Sequence, residues 1–160
     1  MESKVFFGLD FIHVSLEIGN RSGRESDDYI AVAKLLLLLG WELTSAQVKQ
    51  AEAEFWKRNE AGTLDRLAST LSRLIENLKN DIEAKERIIV HALVMSMLEG
   101  AIAGQQAELI GWLVQYFAIE EQRFARLQSS ARNVMRALNV LRERTPDAPG
   151  SGPGFGPGSE

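Results

Sequence analysis

The sequence predicts a single all-α domain of about seven helices, in which two related helical hairpins pack together, followed by a disordered C-terminal tail. Three observations support this fold class. Apolar residues recur at helical spacing along most of the chain, helix-capping patterns separate those stretches, and one hairpin pattern occurs twice. Because 160 residues suit one ordinary domain, we assign residues 1–144 to the helical domain and residues 145–160 to the tail.

Composition sets the broad class of protein. The chain is 45% hydrophobic and 25% charged, which is typical of a globular protein with a packed core. Its net charge of −4 argues against a nucleic-acid partner, because nucleic acids are bound by basic surfaces. The absence of cysteine excludes disulfides and thiolate metal sites. No apolar stretch approaches the roughly 20 residues of a transmembrane segment, and the N-terminus lacks a signal-peptide pattern, so we expect a cytoplasmic protein.

The first element is predicted over residues 4–18. A helix there gathers four apolar side chains on one face, namely Phe7, Phe11, Val14 and Ile18. Gly19 then supplies a stop signal. Gly8 and the alternation of polar and apolar residues near the end of this stretch leave a strand open as the alternative.

Capping patterns define the next two helices. Ser26 is a candidate N-cap, and the acidic residues after it suit a helix N-terminus, so a helix is predicted from there to about residue 39. Thr44 and Gln47 form a capping-box pattern, which predicts a third helix that ends near Asn59.

Four further helices complete the predicted domain. A leucine-rich fourth helix begins at Thr63, a fifth spans residues 82–98, and a seventh spans residues 121–144. The sixth helix, residues 105–117, is apolar on nearly every side, as expected of a helix surrounded by others. We therefore place it in the centre of the domain, opposite the third helix, and favour a monomer. A homodimer through Trp112 is the alternative.

An internal repeat is the most informative pattern in the chain. Residues 33–51 align without gaps on residues 92–110 at a shift of 59 positions. The apolar pattern is kept through a helix, a tight connection and the start of the next helix. This indicates repeat units of about 26–60 and 82–119, each a hairpin with an apolar face that the other can cover.

The second connection carries a short motif. Glu99-Gly100 is followed two positions later by the apolar Ile102, then by Gln106 and by a segment that ends a helix at Phe117. This motif resembles the TerB-like family of tellurite-resistance-associated helical domains, in which Asp-Gly stands at the turn and a glutamate stands where this chain has Gln106. The resemblance, which spans about residues 26–140, implies an all-helical fold with repeated hairpins.

The acidic positions of the family motif are degenerate in this chain. TerB-like domains are expected to hold divalent cations through an acidic cluster, because a hard cation prefers several carboxylate oxygens. The first repeat is a weaker match, with Gly40-Trp41 at the turn. The positions that correspond to the family's metal site are Glu99, Gln106, Glu42 and Gln47. Since residues 103–106 contain no carboxylate, we expect no metal and no other cofactor.

Catalytic motifs are lacking in the sequence. The two histidines, His13 and His91, have no convincing local partner, and His91 is interpreted as a core histidine satisfied by one hydrogen bond. The sequence contains no nucleophile elbow, phosphate-binding glycine loop or zincin motif. We therefore expect no enzymatic activity.

Five residues are candidates for partner binding. Trp41 lies in the first turn, and Trp112 lies in the apolar sixth helix. Arg132 and Arg136 belong to the arginine-rich polar arc of the last helix, which would suit an acidic protein partner. Phe155 is the one large apolar residue of the tail.

Together these patterns favour a non-catalytic interaction or scaffold module that binds protein partners. The TerB-like resemblance implies a stress- or envelope-associated role. The alternative is a divalent-cation or small-ligand sensor of the same fold.

Overall fold

The computed structural model describes the backbone of residues 1–21, 28–98 and 100–144, and the side chains of these residues up to 141. Over these ranges the chain forms seven α-helices and no strand, which confirms the all-α prediction. No helix among them combines the length and the apolar character needed to cross a bilayer. The helices are α1 (Ser3–Asn20), α2 (Asp28–Gly40), α3 (Ser45–Ala61), α4 (Leu67–Leu78), α5 (Ile82–Met97), α6 (Gly104–Tyr116) and α7 (Glu121–Arg144). The predicted N-cap Ser26 and the predicted tail, residues 145–160, lie outside the described residues.

The centre of the bundle is α1. It packs against α2, α3, α4 and α5 and touches α6, so it is surrounded by helices that follow it in the chain. The helix prediction for residues 4–18 is therefore confirmed, and the strand alternative is wrong. Gly8 permits the closest approach, because a methyl group there would lie 2.9 Å from Cβ of Ala51 and 3.0 Å from Cδ2 of Leu43.

The sixth helix is not central, and that prediction is wrong. α6 packs on α5 and touches α1 through one buried face that contains Leu109 and Leu113. Trp112 and Tyr116 are 42% and 60% exposed on another face. Apolar character on every side could not reveal this difference, because large aromatic residues also occur at exposed positions where partners bind.

Capping interactions fix several helix ends. The predicted capping box is confirmed: the Gln47 N–H donates to Thr44 Oγ1 at 3.1 Å, and the Thr44 N–H donates to Gln47 Oε1 at 2.8 Å. Asp81 caps α5 by accepting from the Ala84 N–H at 3.0 Å. The prediction that the fourth helix begins at Thr63 is wrong. Residues 63–66 are not helical, and the helix starts at Leu67.

The two hairpins, α2–α3 and α5–α6, bury faces of their second helices that match only in part. α3 buries Val48, Ala51 and Phe55. α6 buries Ile110, the repeat equivalent of Ala51, together with Leu109 and Leu113, which are not equivalents of the buried α3 residues. The repeat therefore keeps the hairpin, but the buried face of the second helix is shifted around its axis.

Candidate functional site

An open apolar groove lies between α6 and α7, and we call it the α6–α7 groove. Both helices pack against α5 but make little direct contact with each other, which leaves a gap between them. Leu93 of α5 and Ile110 of α6 are buried and form the floor. Half-buried apolar side chains line the walls, namely Ile102, Val114 and Phe124. Gln128 of α7 is the polar residue of the lining.

The positions of the two walls follow from local contacts. Arg123 at the start of α7 makes a bidentate ion pair with Glu86 of α5, which anchors that end of the wall. Leu127 and Ala131 are buried farther along α7. On α6, the wall is low at Gly111, because glycine has no side chain. A Cβ at this position would have no atom within 4 Å, so the space beside it is open.

Trp112 lies on the opposite flank of α6 from the groove. Helical periodicity separates Trp112 and Tyr116 from Gly111 around the helix axis. Their rings pair with centroids 5.3 Å apart, and both side chains face solvent. Trp112 is therefore available to a partner, but on a surface separate from the groove.

Trp41 lies in an aromatic cluster with Phe7 and His91. Its ring centroid is 4.8 Å from that of Phe7, and its Nε1–H donates to His91 Nδ1 at 3.0 Å. The Arg87 guanidinium lies 5.0 Å from the indole ring centre. Burial, with a smaller effect of Arg87, lowers the pKa of His91 to about 4. The interpretation of His91 as a core histidine satisfied by one hydrogen bond is confirmed, and Trp41 is its partner.

A polar network between α1 and α4 was not predicted. Arg73 donates to both carboxylate oxygens of buried Asp10, at 2.9 and 2.7 Å, and to Asp65 at 2.8 Å. The hydrogen bond with Asp10 is the main reason that the pKa of Arg73 is raised. His13 Nδ1 lies 3.0 Å from Thr70 Oγ1, and burial lowers the pKa of His13. The one sequence signal of this network was Asp10, an isolated acid within an apolar helix. Its partner Arg73 is too distant in sequence to form a local pattern with it.

The glutamines at the family's metal positions serve as helix caps. The amide oxygens of Gln47 and Gln106 accept from the N–H groups of Thr44 and Ala103, at 2.8 and 2.9 Å. Their amide nitrogens bind the two ends of α1, because Gln106 donates to Ile18 O at 2.9 Å and Gln47 donates to the Glu2 carboxylate.

The acidic positions of the same motif do not join these glutamines. Glu42 is exposed with a φ of 59°, and Glu99 lies outside the described residues. Within the described ranges, no group of three acidic or histidine side chains is placed to hold a metal ion.

The remaining predicted partner residues do not form one surface. Arg132 and Arg136 are exposed on α7 and donate to side chains of their own helix, Ser129 at 3.2 Å and Asn133 at 3.1 Å. Phe155 lies outside the described residues.

The groove itself was missed by sequence reasoning. Its one local signal was Gly111, which interrupts an otherwise apolar helix at an exposed position. Comparison with known protein families, curated proteins and solved structures gives no match for this chain.

Proposed function

We propose that this chain is a non-catalytic helical interaction module that binds a protein partner in the α6–α7 groove. The groove is the observation that carries the proposal. Apolar side chains from two helices and the preceding turn remain partly exposed between walls that do not close on each other. Water-exposed apolar surface of this shape is typical of sites that bind a peptide or a helix.

The placement of the titratable groups supports a binding role over a catalytic one. His91 accepts from Trp41, His13 contacts Thr70, and Asp10 is paired with Arg73. None of these described groups lines the α6–α7 groove. The TerB-like resemblance adds the proposal of a stress- or envelope-associated scaffold that acts in the cytoplasm.

Site-specific photo-crosslinking tests this function. A photoreactive amino acid at Gln128, which lines the groove and already carries a long side chain, places the probe in the groove, and the same amino acid at exposed Ser130 places it elsewhere on the surface. In cells that produce the full chain, we expect a discrete protein adduct from position 128 and none from position 130. Equal labelling at both positions, or no protein adduct at position 128, would contradict the proposal.

A further inference from the structure

The internal repeat shows what occupies the corresponding surface of the first hairpin. There, α1 lies across α3, and Gly8 of α1 approaches Ala51 and Leu43. Phe55, one turn farther along α3, faces His13 of α1 with ring centroids 6.1 Å apart. The first hairpin therefore uses this face to bind a helix.

The same positions of the second hairpin line the α6–α7 groove. Adding 59 to Leu43, Val48, Ala51 and Phe55 gives Ile102, Ala107, Ile110 and Val114, all of which line it. Val48 is 4% exposed and Phe55 is 1% exposed, whereas Ala107 is exposed and Val114 is half-buried. No helix in the described part of the chain covers the groove as α1 covers α3.

The α6–α7 groove leaves room for a larger side chain than the corresponding face of the first hairpin does. Glu52 of α3 corresponds to Gly111, so the wall is lower in α6. A methyl group at Gly111 would meet no atom within 4 Å. Because Gly111 and Ala107 lie one turn apart on one face, they leave a hole for a large apolar side chain.

Two exposed carboxylates and one arginine flank the groove. Glu108 precedes Gly111 by nearly one turn, and Glu121 lies two turns before Gln128 on the same side of α7. Both carboxylates are exposed, and neither forms an ion pair within the described residues. Arg132, one turn beyond Gln128, is the basic residue on this side of α7 among the described side chains.

We propose that the occupant of the α6–α7 groove is an amphipathic α-helix of a partner protein, with basic residues along its edges and a large apolar residue over Gly111. This inference rests on the proposed function and specifies the partner. The unpaired carboxylates of Glu108 and Glu121 select against a helix that places acidic residues beside them, because like charges that face each other across an interface are repulsive.

Two synthetic helical peptides with the same leucine pattern test the inference, one carrying lysine and the other glutamate at every polar position. Binding to the full chain is measured by fluorescence anisotropy at fixed ionic strength. We expect the lysine peptide to bind about tenfold more tightly, as favourable contacts with the two carboxylates would give. Gly111→Leu fills the hole and should weaken the lysine peptide about tenfold without lowering the melting temperature. Glu108→Lys with Glu121→Lys should reverse the charge preference.

Several results would overturn the inference. One is equal binding of the two peptides, and another is binding that Gly111→Leu does not change. Tighter binding after removal of residues 145–160 would show that the chain's own tail occupies the groove. A dimer that Gly111→Leu dissociates would show that a second copy occupies it. Crosslinks at position 128 without peptide binding would leave the groove as an interaction site while rejecting a basic helix, so the two proposals fail separately.

Discussion

The indole N–H of Trp41 donates to Nδ1 of His91 at 3.0 Å, and this bond joins the turn after α2 to the middle of α5. Because Nδ1 accepts, the neutral ring carries its proton on Nε2. Protonation of Nδ1 would remove this acceptor and place a charge in the core.

Stability should therefore depend on the protonation of His91. The folded pKa is about 4 against an ordinary value of 6.5, so only the unfolded chain binds the proton between these pH values. The free energy of unfolding should fall as the pH drops through this window, by up to about 3 kcal/mol from this residue. His91→Asn keeps an acceptor but does not titrate. Urea unfolding at several pH values should show a shallower pH dependence for this variant, and equal slopes would contradict the assignment.

Gly40 should not tolerate a side chain. A Cβ at this position would lie 2.7 Å from Cε1 of His91, so Gly40→Ala must displace the ring and should cost about 1–3 kcal/mol. Gly111→Ala is the matched control, because its methyl group meets open space and alanine favours the helix by about 0.5–1 kcal/mol. Thermal unfolding should move in opposite directions for the two variants. A shared direction would show that backbone propensity, not the contact with His91, decides the effect.

The ion pair between Asp10 and Arg73 should contribute more than a surface pair. Asp10 is 2% exposed, so Arg73→Met leaves a buried carboxylate without its partner and should destabilise the fold by about 3 kcal/mol. Arg123→Met removes a pair in which the arginine is 46% exposed, so it should cost much less than Arg73→Met. Chemical denaturation of both variants measures the difference. Similar losses would mean that burial of Asp10 does not govern the energetics, and Arg73→Lys provides a milder variant if Arg73→Met does not fold.

The two capping glutamines should differ in their contributions. Gln106 is 1% exposed and makes two hydrogen bonds, so Gln106→Ala leaves the Ala103 N–H and the Ile18 carbonyl without it and should cost about 2–3 kcal/mol. Gln47→Ala removes a more exposed cap and should cost about 1 kcal/mol. Equilibrium unfolding compares them, and a larger loss for Gln47→Ala would contradict this order.

Local features of the fold were predictable from the sequence, whereas the relation between distant elements was not. The capping box of Thr44 and Gln47 was visible because its two partners are three residues apart. The hydrogen bond of His91 was expected, but its donor, Trp41, is 50 residues away and has no sequence signature.

The same limit explains why the central helix was misassigned. Asp10 and His13 place polar side chains within α1, yet their partners on α4 allow α1 to be buried. Periodicity reports only how apolar a helix is by its own side chains. Burial also depends on whether neighbouring helices supply hydrogen-bond and ion-pair partners for its polar residues. The α6–α7 groove was hidden for a related reason, since it arises from the distance between two helices and not from a motif in either.

The central position of α1 has a consequence for synthesis on the ribosome. Among the described helices, those that surround α1 all follow it in the chain and are translated later. Until α5 and α6 have emerged, the nascent chain presents apolar side chains such as Leu9, Ile12 and Ile18 without their final neighbours. Because exposed apolar segments of incomplete chains aggregate, α1 is prone to aggregation during synthesis until these later helices have emerged.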